Sequence, residues 1–243
     1  MPKTIEILNS IQKDIDKEIQ RGSITRAVFD LDSTLFNVAP RFSKIIQEFC
    51  SDNIMRAKYA KAIEVLSQVQ ITHHPYYLKQ FMADIGLDKE TQEFYKEIFE
   101  YWKSRFFHDH YVIFDEPEIG AVDFVQELYE RGVHIIYLTG RDEPRMKVGT
   151  IESLKKWNFP VDKDRAELVL KPYKELDDAE FKRDHFNIFP ADEKIWFFEN
   201  EPVNIHLVLK DCPHVKIIYF DSVHSGKAHA PEGLPTITHF KVK

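Results

Sequence analysis

The 243-residue sequence predicts an α/β fold: a Rossmann-like, doubly wound parallel sheet core with an inserted all-helical module. Three observations carry this expectation. Short runs of β-branched and aromatic residues alternate with helical-period segments through the second half of the chain. An isolated run of the same kind, Thr25–Asp32, lies near the start and stops at acids. Between them, residues 40–111 keep helical periodicity and contain no convincing strand.

Each element follows from its local pattern. Ile5, Leu8, Ile11, Ile15 and Ile19 recur at helical spacing among Lys, Glu, Asp and Gln, and Arg21-Gly22-Ser23 ends that helix. The apolar character of Val28, Phe29 and Leu31 suits a strand buried on both faces. In the helical stretch, Phe42, Ile45, Ile46 and Phe49 form one stripe, and Tyr59, Ala62, Ile63 and Leu66 a second. Phe94, Ile98, Tyr101, Trp102 and Phe106 form a third, expected to be core of that module, with a side chain of the aromatic-rich 94–107 helix meeting substrate as the alternative. Val122, Val125, Leu128 and Tyr129 mark a helix closed by Arg131-Gly132. Strands are expected at His134–Leu138, Glu167–Leu170, Lys194–Phe198 and Val215–Phe220, separated by helices at 143–157, 177–189 and 202–210. The organisation is thus a core of residues 1–38 and 113–243 interrupted by a helical module at 39–112.

Composition narrows the function. Lys and Arg total 33 against 40 Asp and Glu, a net charge of −7, which argues against general nucleic-acid binding. Cys50 and Cys212 are too far apart in sequence for a CxxC or zinc framework, and a reducing cytoplasm is expected. The start, Met-Pro-Lys-Thr-Ile-Glu, does not read as a signal peptide, and no apolar run approaches the ~20 residues that span a bilayer.

In open α/β sheets, ligands bind beyond the carboxyl ends of the strands. The first strand delivers Asp30, Asp32, Ser33 and Thr34 there. The second delivers Thr139, Gly140 and Arg141, the fourth Glu199, Asn200 and Glu201, and the last Asp221 and Ser222. Two aspartates at i and i+2 repel unless a cation sits between them. Mg²⁺ accepts one or two carboxylates together with phosphate oxygens and water. Thr-Gly between a strand and a helix offers a hydroxyl and free N–H groups to phosphate. With a lysine nearby, this describes metal-assisted phosphoryl transfer to a carboxylate nucleophile.

The run Val28-Phe29-Asp30-Leu31-Asp32-Ser33-Thr34 resembles the first motif of the haloacid dehalogenase-like hydrolase superfamily, and Tyr137-Leu138-Thr139-Gly140-Arg141 resembles its second. The helical module follows the first motif, where that superfamily places a type 1 cap. The resemblance implies a phosphatase with Asp30 as nucleophile and Asp32 as general acid, then base. Asp30 and the backbone carbonyl of Asp32 would hold Mg²⁺. Thr139 would hold the phosphoryl group, with Gly140, Thr34 and Lys171 as further phosphate-binding candidates. The charge-balancing lysine is either Lys182, early on a helix, or Lys171 at a strand end, with Lys174 a third option; Lys182 is preferred. Families with Gly-Asp-x-x-x-Asp place a metal-binding aspartate where Asn200 stands, with Asn204 at the second acidic position. Either Glu199 or Asn200 would complete the metal site.

Other features read as structural. His73-His74 and His108-Asp109-His110 lack a partner pair at zinc-ligand spacing and are expected to be solvated or at the module's edge. Ser225-Gly226-Lys227 lacks the upstream glycine of a phosphate loop. Arg141 is expected at the surface or in a salt bridge behind the site. The expected ligand is a small phosphorylated metabolite; nucleotide and sugar phosphates both suit. A phosphomutase, or a regulatory phosphate binder that has lost catalysis, is the alternative.

Overall fold

In the computed structural model, which describes residues 2–242, Thr25–Phe29 forms strand β1 near the centre of a six-stranded sheet. Met1 and Lys243, the outermost residues of the expected core, lie outside the described residues. Helix α1 (Pro2–Gln20) precedes β1, and a two-residue strand β2 (Phe36–Asn37) follows it. Six helices come next: α2 (Ala39–Ser51), α3 (Asn53–Lys58), α4 (Ala60–Gln68), α5 (Leu78–Asp84), α6 (Gln92–Phe106) and α7 (Asp109–Val112). Strand β3 (Glu116–Pro117) then pairs antiparallel with β2, Phe36 opposite Pro117, so chain entry and exit to the helical segment run side by side. The rest alternates as α8 (Ala121–Glu130), β4 (His134–Asp142), α9 (Glu143–Lys156), β5 (Ala166–Lys171) and α10 (Asp178–Phe186). It continues with β6 (Lys194–Glu199), α11 (Pro202–Asp211), β7 (Val215–Phe220) and β8 (Thr236–Ile237).

The sheet order is β5-β4-β1-β6-β7-β8 and every pairing in it is parallel. This is the doubly wound, Rossmann-like architecture the alternation predicts. Period-two alternation sends Ala27 and Phe29 to one face, where Leu8, Ile11, Phe124 and Leu128 cover them. Val28 goes to the other, under Phe186, Ile205 and Val208. β8, at the sheet edge, has no signal in the sequence. Two residues carry no periodicity, and their pairing depends on Tyr219 opposite Thr236 and on Phe240 stacking over Phe220 at 5.1 Å.

The helices between Ala39 and Val112 gather round a cluster of their own that includes Phe42, Phe49, Leu66, Phe94 and Ile98. Their last turn is tied to the sheet layer through α9. The Gly149 N–H donates to Asp109 Oδ1 at 2.6 Å, and a Cβ on Gly149 would lie 2.7 Å from the Asp109 Cα. Backbone cannot yield as a side-chain tip does. Gly149→Ala should therefore destabilise the protein by about 1–3 kcal/mol, despite alanine's better helix propensity. Thermal unfolding of the variant checks this; an unchanged or higher Tm would show that the α7–α9 contact is loose.

Candidate active site

Three strand ends converge on one cavity. After β1 the chain turns tightly: the Thr34, Leu35 and Phe36 N–H groups all donate to the Leu31 carbonyl, and Ser33 takes a left-handed φ of 62°. This loop places Asp30 and Asp32 beyond the sheet edge. At β4 the register with β5 shifts between Leu138 and Asp142, so Thr139-Gly140-Arg141 leaves regular pairing where it meets the cavity. A Cβ on Gly140 would lie 2.6 Å from Asp178 Oδ2, so a larger residue there would push the Asp178 carboxylate aside. β6 delivers Glu199 and Asn200. The cavity, about 630 Å³, lies between these ends and the helical segment.

Lys182 is the centre of the charge arrangement. Asp177 caps α10 by accepting from the Ala179 and Glu180 N–H groups, which fixes the helix start and turns Lys182 inward. Its buried Nζ donates to Asp30 Oδ1 and to Glu199 Oε2, both at 2.6 Å. Burial works against the charged ammonium, but Asp30 and Glu199 outweigh it and hold the Lys182 pKa above its ordinary value. Asp30 is pushed up to about 7. Burial is the main cause; Lys182 opposes it, while Glu199 and Asp32 add to it. Two carboxylates share one ammonium, so Lys182 stays charged and Asp30 is left undercompensated.

Glu199 is tied up on both oxygens. Oε1 accepts from the backbone N–H groups of Asn200 and Glu201, and Oε2 from Lys182 and Asn204 Nδ2. Asn200 Oδ1 accepts only the Thr34 hydroxyl among the described hydrogen bonds, at 3.1 Å, while its Nδ2 donates to the Val223 carbonyl. Thr34, expected as a phosphate-binding candidate, is fully buried and its hydroxyl donates to Asn200 Oδ1. Thr139 and Gly140 do line the cavity. Lys171 also borders it, but its Nζ is taken up by Asp178 at 2.6 Å and by the Lys174 and Leu176 carbonyls.

Asp32 belongs to a chain of alternating charges that the sequence did not reveal. Its Oδ1 accepts from Arg41 Nη2 and Arg141 Nη2, both at 2.7 Å, and its Oδ2 from Arg141 Nε. Both guanidiniums also bind Asp115, a buried carboxylate between α7 and β3. Arg141 is therefore buried rather than at the surface. Burial would raise the Asp32 pKa, but Arg141 and Arg41 outweigh it and hold the carboxyl well below its usual range. Arg41 sits beside the apolar stripe of α2, and Asp115 in a polar connection. Neither has a local motif; a charged residue at the edge of a helical apolar face was the only signal available.

Among the described residues, no group of three or more His, Cys, Asp or Glu side chains is placed to hold a metal. An undercompensated Asp30 carboxylate and the Asn200 amide, which line the same cavity, do suit a hard cation that keeps water and phosphate oxygens in its shell. Glu199 would have to release existing partners to join. No helix among the described residues is long and apolar enough to cross a membrane.

No protein-family model and no curated protein matches the chain. Solved structures do. A candidate phosphatase from Clostridium difficile superposes with a TM-score of 0.58 at 16% identity, over 88% of this chain and 94% of that one. A predicted phosphatase from Clostridium acetobutylicum gives 0.52 at 18%, over 88% and 93%. A subfamily IA hydrolase of the haloacid dehalogenase superfamily from Geobacter sulfurreducens gives 0.50 at 14%, over 89% and 93%. At these identities the likeness is one of fold: the chain has the α/β fold of haloacid dehalogenase-like hydrolases.

Proposed function

We propose that this chain is a cytoplasmic, Mg²⁺-dependent phosphohydrolase that cleaves small phosphomonoesters through an aspartyl-phosphate on Asp30. The observation that carries the reading is the buried Lys182 bridge between Asp30 and Glu199 at the edge of a cavity lined by Thr139 and Gly140. Residues 39–112 act as the cap over a core of 1–38 and 113–243.

In this reading an Asp30 oxygen attacks phosphorus, the ester P–O bond breaks, and the leaving oxygen takes a proton from Asp32. Water then attacks the same phosphorus, giving its proton to Asp32 and releasing phosphate and the Asp30 carboxylate. Lys182 keeps Asp30 in place and offsets charge on the phosphoryl oxygens. Thr139 and the Gly140 N–H bind those oxygens. Asp30, the Asp32 carbonyl and the Asn200 Oδ1 would hold Mg²⁺, which supplies charge neutralisation at the phosphoryl group. Held by two arginines, Asp32 is ionised and weakened as a base, so it must loosen from them to take up the proton that it then gives to the leaving oxygen.

The test is phosphate release from 4-nitrophenyl phosphate and from alkyl phosphates, with added Mg²⁺ and with chelator. Release that is indifferent to chelation sinks the metal-dependent reading, and no release from any ester sinks the phosphatase. Asp32→Asn is expected to lower turnover by roughly 10²–10⁴-fold, with a smaller loss for nitrophenyl than for alkyl esters. Equal losses for both would move Asp32 from leaving-group protonation to water activation.

Asn200 gives a separate check on the metal. A neutral amide contributes no charge attraction, and Asn200→Asp adds one unit of it beside Asp30. Repulsion from Asp30 offsets much of that gain, so Mg²⁺ affinity should rise about tenfold. Mg²⁺ titration of both proteins at fixed ionic strength measures it. Unchanged affinity, together with loss of binding in Glu199→Gln, would transfer the ligand role to Glu199.

A further inference from the structure

We propose that the leaving group of the substrate is a planar aromatic or heteroaromatic ring, seated against a wall of aromatic side chains that the helical segment presents to the cavity. The proposal rests on the phosphatase reading and goes beyond it by naming the substrate class.

The cavity is divided by chemistry. Every charged residue that lines it comes from the core's strand ends and loops and from helix α10. The helical segment and its entry contribute Val38, His74, Tyr76, Trp102, Phe106 and Phe107, none of them charged at neutral pH. Burial and the nearby Arg41 push His74 down to about 4, so it too is neutral there. The sequence places Trp102 and Phe106 in the core of the helical module, but both also face the cavity.

The wall is preorganised. Trp102 and Phe106 lie 5.1 Å apart between ring centroids, as do Phe106 and Phe107. The His74 ring stacks on Phe106 at 5.0 Å and 16°. Arg41 lies over the Phe106 ring at 4.5 Å, which anchors the wall to the charge chain at Asp32. Rings held in this way lose little freedom when a further ring packs on them.

The same surface is poor for a polyol. Two of its polar atoms are withdrawn: Trp102 Nε1 and His74 Nδ1 are buried without a hydrogen-bond partner among the described residues. Sugar hydroxyls brought against it would leave water without gaining partners. A second phosphate or a carboxylate would meet no free cation there, since Arg41 over Phe106 is held by Asp32 and Asp115 and Arg145 over Phe107 by Asp142. A flat apolar ring matches the wall, while its phosphoryl group reaches Asp30 and Thr139.

Benzyl phosphate and glycerol 1-phosphate provide the comparison, because both are esters of primary alcohols and differ mainly in the group the wall would meet. A kcat/KM for benzyl phosphate higher by at least about tenfold is expected. Benzylphosphonate should likewise bind more tightly than propylphosphonate, read from tryptophan fluorescence and calorimetry. Trp102→Leu should reduce both preferences by roughly tenfold, and Phe107→Leu provides the same test if the first variant fails to fold. Phosphate release with equal or reversed preference overturns the proposal and leaves the phosphatase reading standing. Absence of release from benzyl, glycerol and nitrophenyl esters alike sinks that reading. The phosphonates still decide the wall: benzylphosphonate bound no better than propylphosphonate overturns the proposal.

Discussion

Asp30→Asn protein is expected to fold, to bind phosphonates and to release no measurable phosphate. Removing the nucleophile from a unit that works together costs on the order of 10⁵–10⁶-fold in turnover, because the amide cannot form the phosphoenzyme. The structure adds an expectation that a merely structural aspartate would not meet. Asp30 and Glu199 share one ammonium, and the folded pKa of Asp30 is raised to about 7. A raised folded pKa means that the contribution of Asp30 to stability is present at acidic pH and is lost as pH rises through about 7. Asparagine carries no such charge. In the absence of metal, the variant should therefore be at least as stable as the wild type above neutral pH, with the difference fading in acid. Thermal unfolding across pH, beside a phosphate-release assay, measures both. Turnover retained in folded Asp30→Asn, or a variant that melts well below the wild type at alkaline pH, would falsify the assignment. In the wild type, beryllium fluoride with Mg²⁺ should inhibit by mimicking the phosphorylated aspartate.

Lys182→Ala should damage stability and turnover together, and Lys171→Ala should not damage turnover to the same degree. Lys182 is buried between two carboxylates, so its removal leaves buried negative charge without a partner. Such removals cost about 3–5 kcal/mol near neutral pH. Without the ammonium, the buried Asp30 carboxyl binds its proton more tightly still when folded than when unfolded. The deficit should accordingly be small in acid and grow as pH rises. Lys171, in contrast, meets one partly exposed carboxylate, Asp178, and two carbonyls, so its loss exposes less uncompensated charge. The decisive comparison is kcat/KM in variants shown to be folded at a common pH. Near-normal turnover in Lys182→Ala alongside an inactive Lys171→Ala would exchange the two roles.

The sheet was legible because β1, β4, β6 and β7 are buried on both faces, and such strands appear as apolar runs whatever their partners. The site's position was legible for a related reason. Strand ends deliver whatever residues follow the run, so Asp30, Thr139 and Glu199 could be placed at one edge before the pairings were known. The helices of residues 39–112 also appeared in their apolar stripes, but the stripes hid a division of labour. Trp102 and Phe106 satisfy the helical period and also face the cavity, and periodicity cannot separate these roles.

Local sequence determined which residues arrive at the sheet edge, since strand and helix periods and turn chemistry act over a few neighbouring positions. Only the tertiary structure decided what those residues meet. Glu199 receives the ammonium of Lys182, Thr34 turns to Asn200, and Arg41 and Asp115 enclose Asp32 from positions 9 and 83 residues away in the chain. Buried charges find partners through packing in space, where the penalty for an unpaired ion is large, and that pairing leaves no periodic mark along the chain.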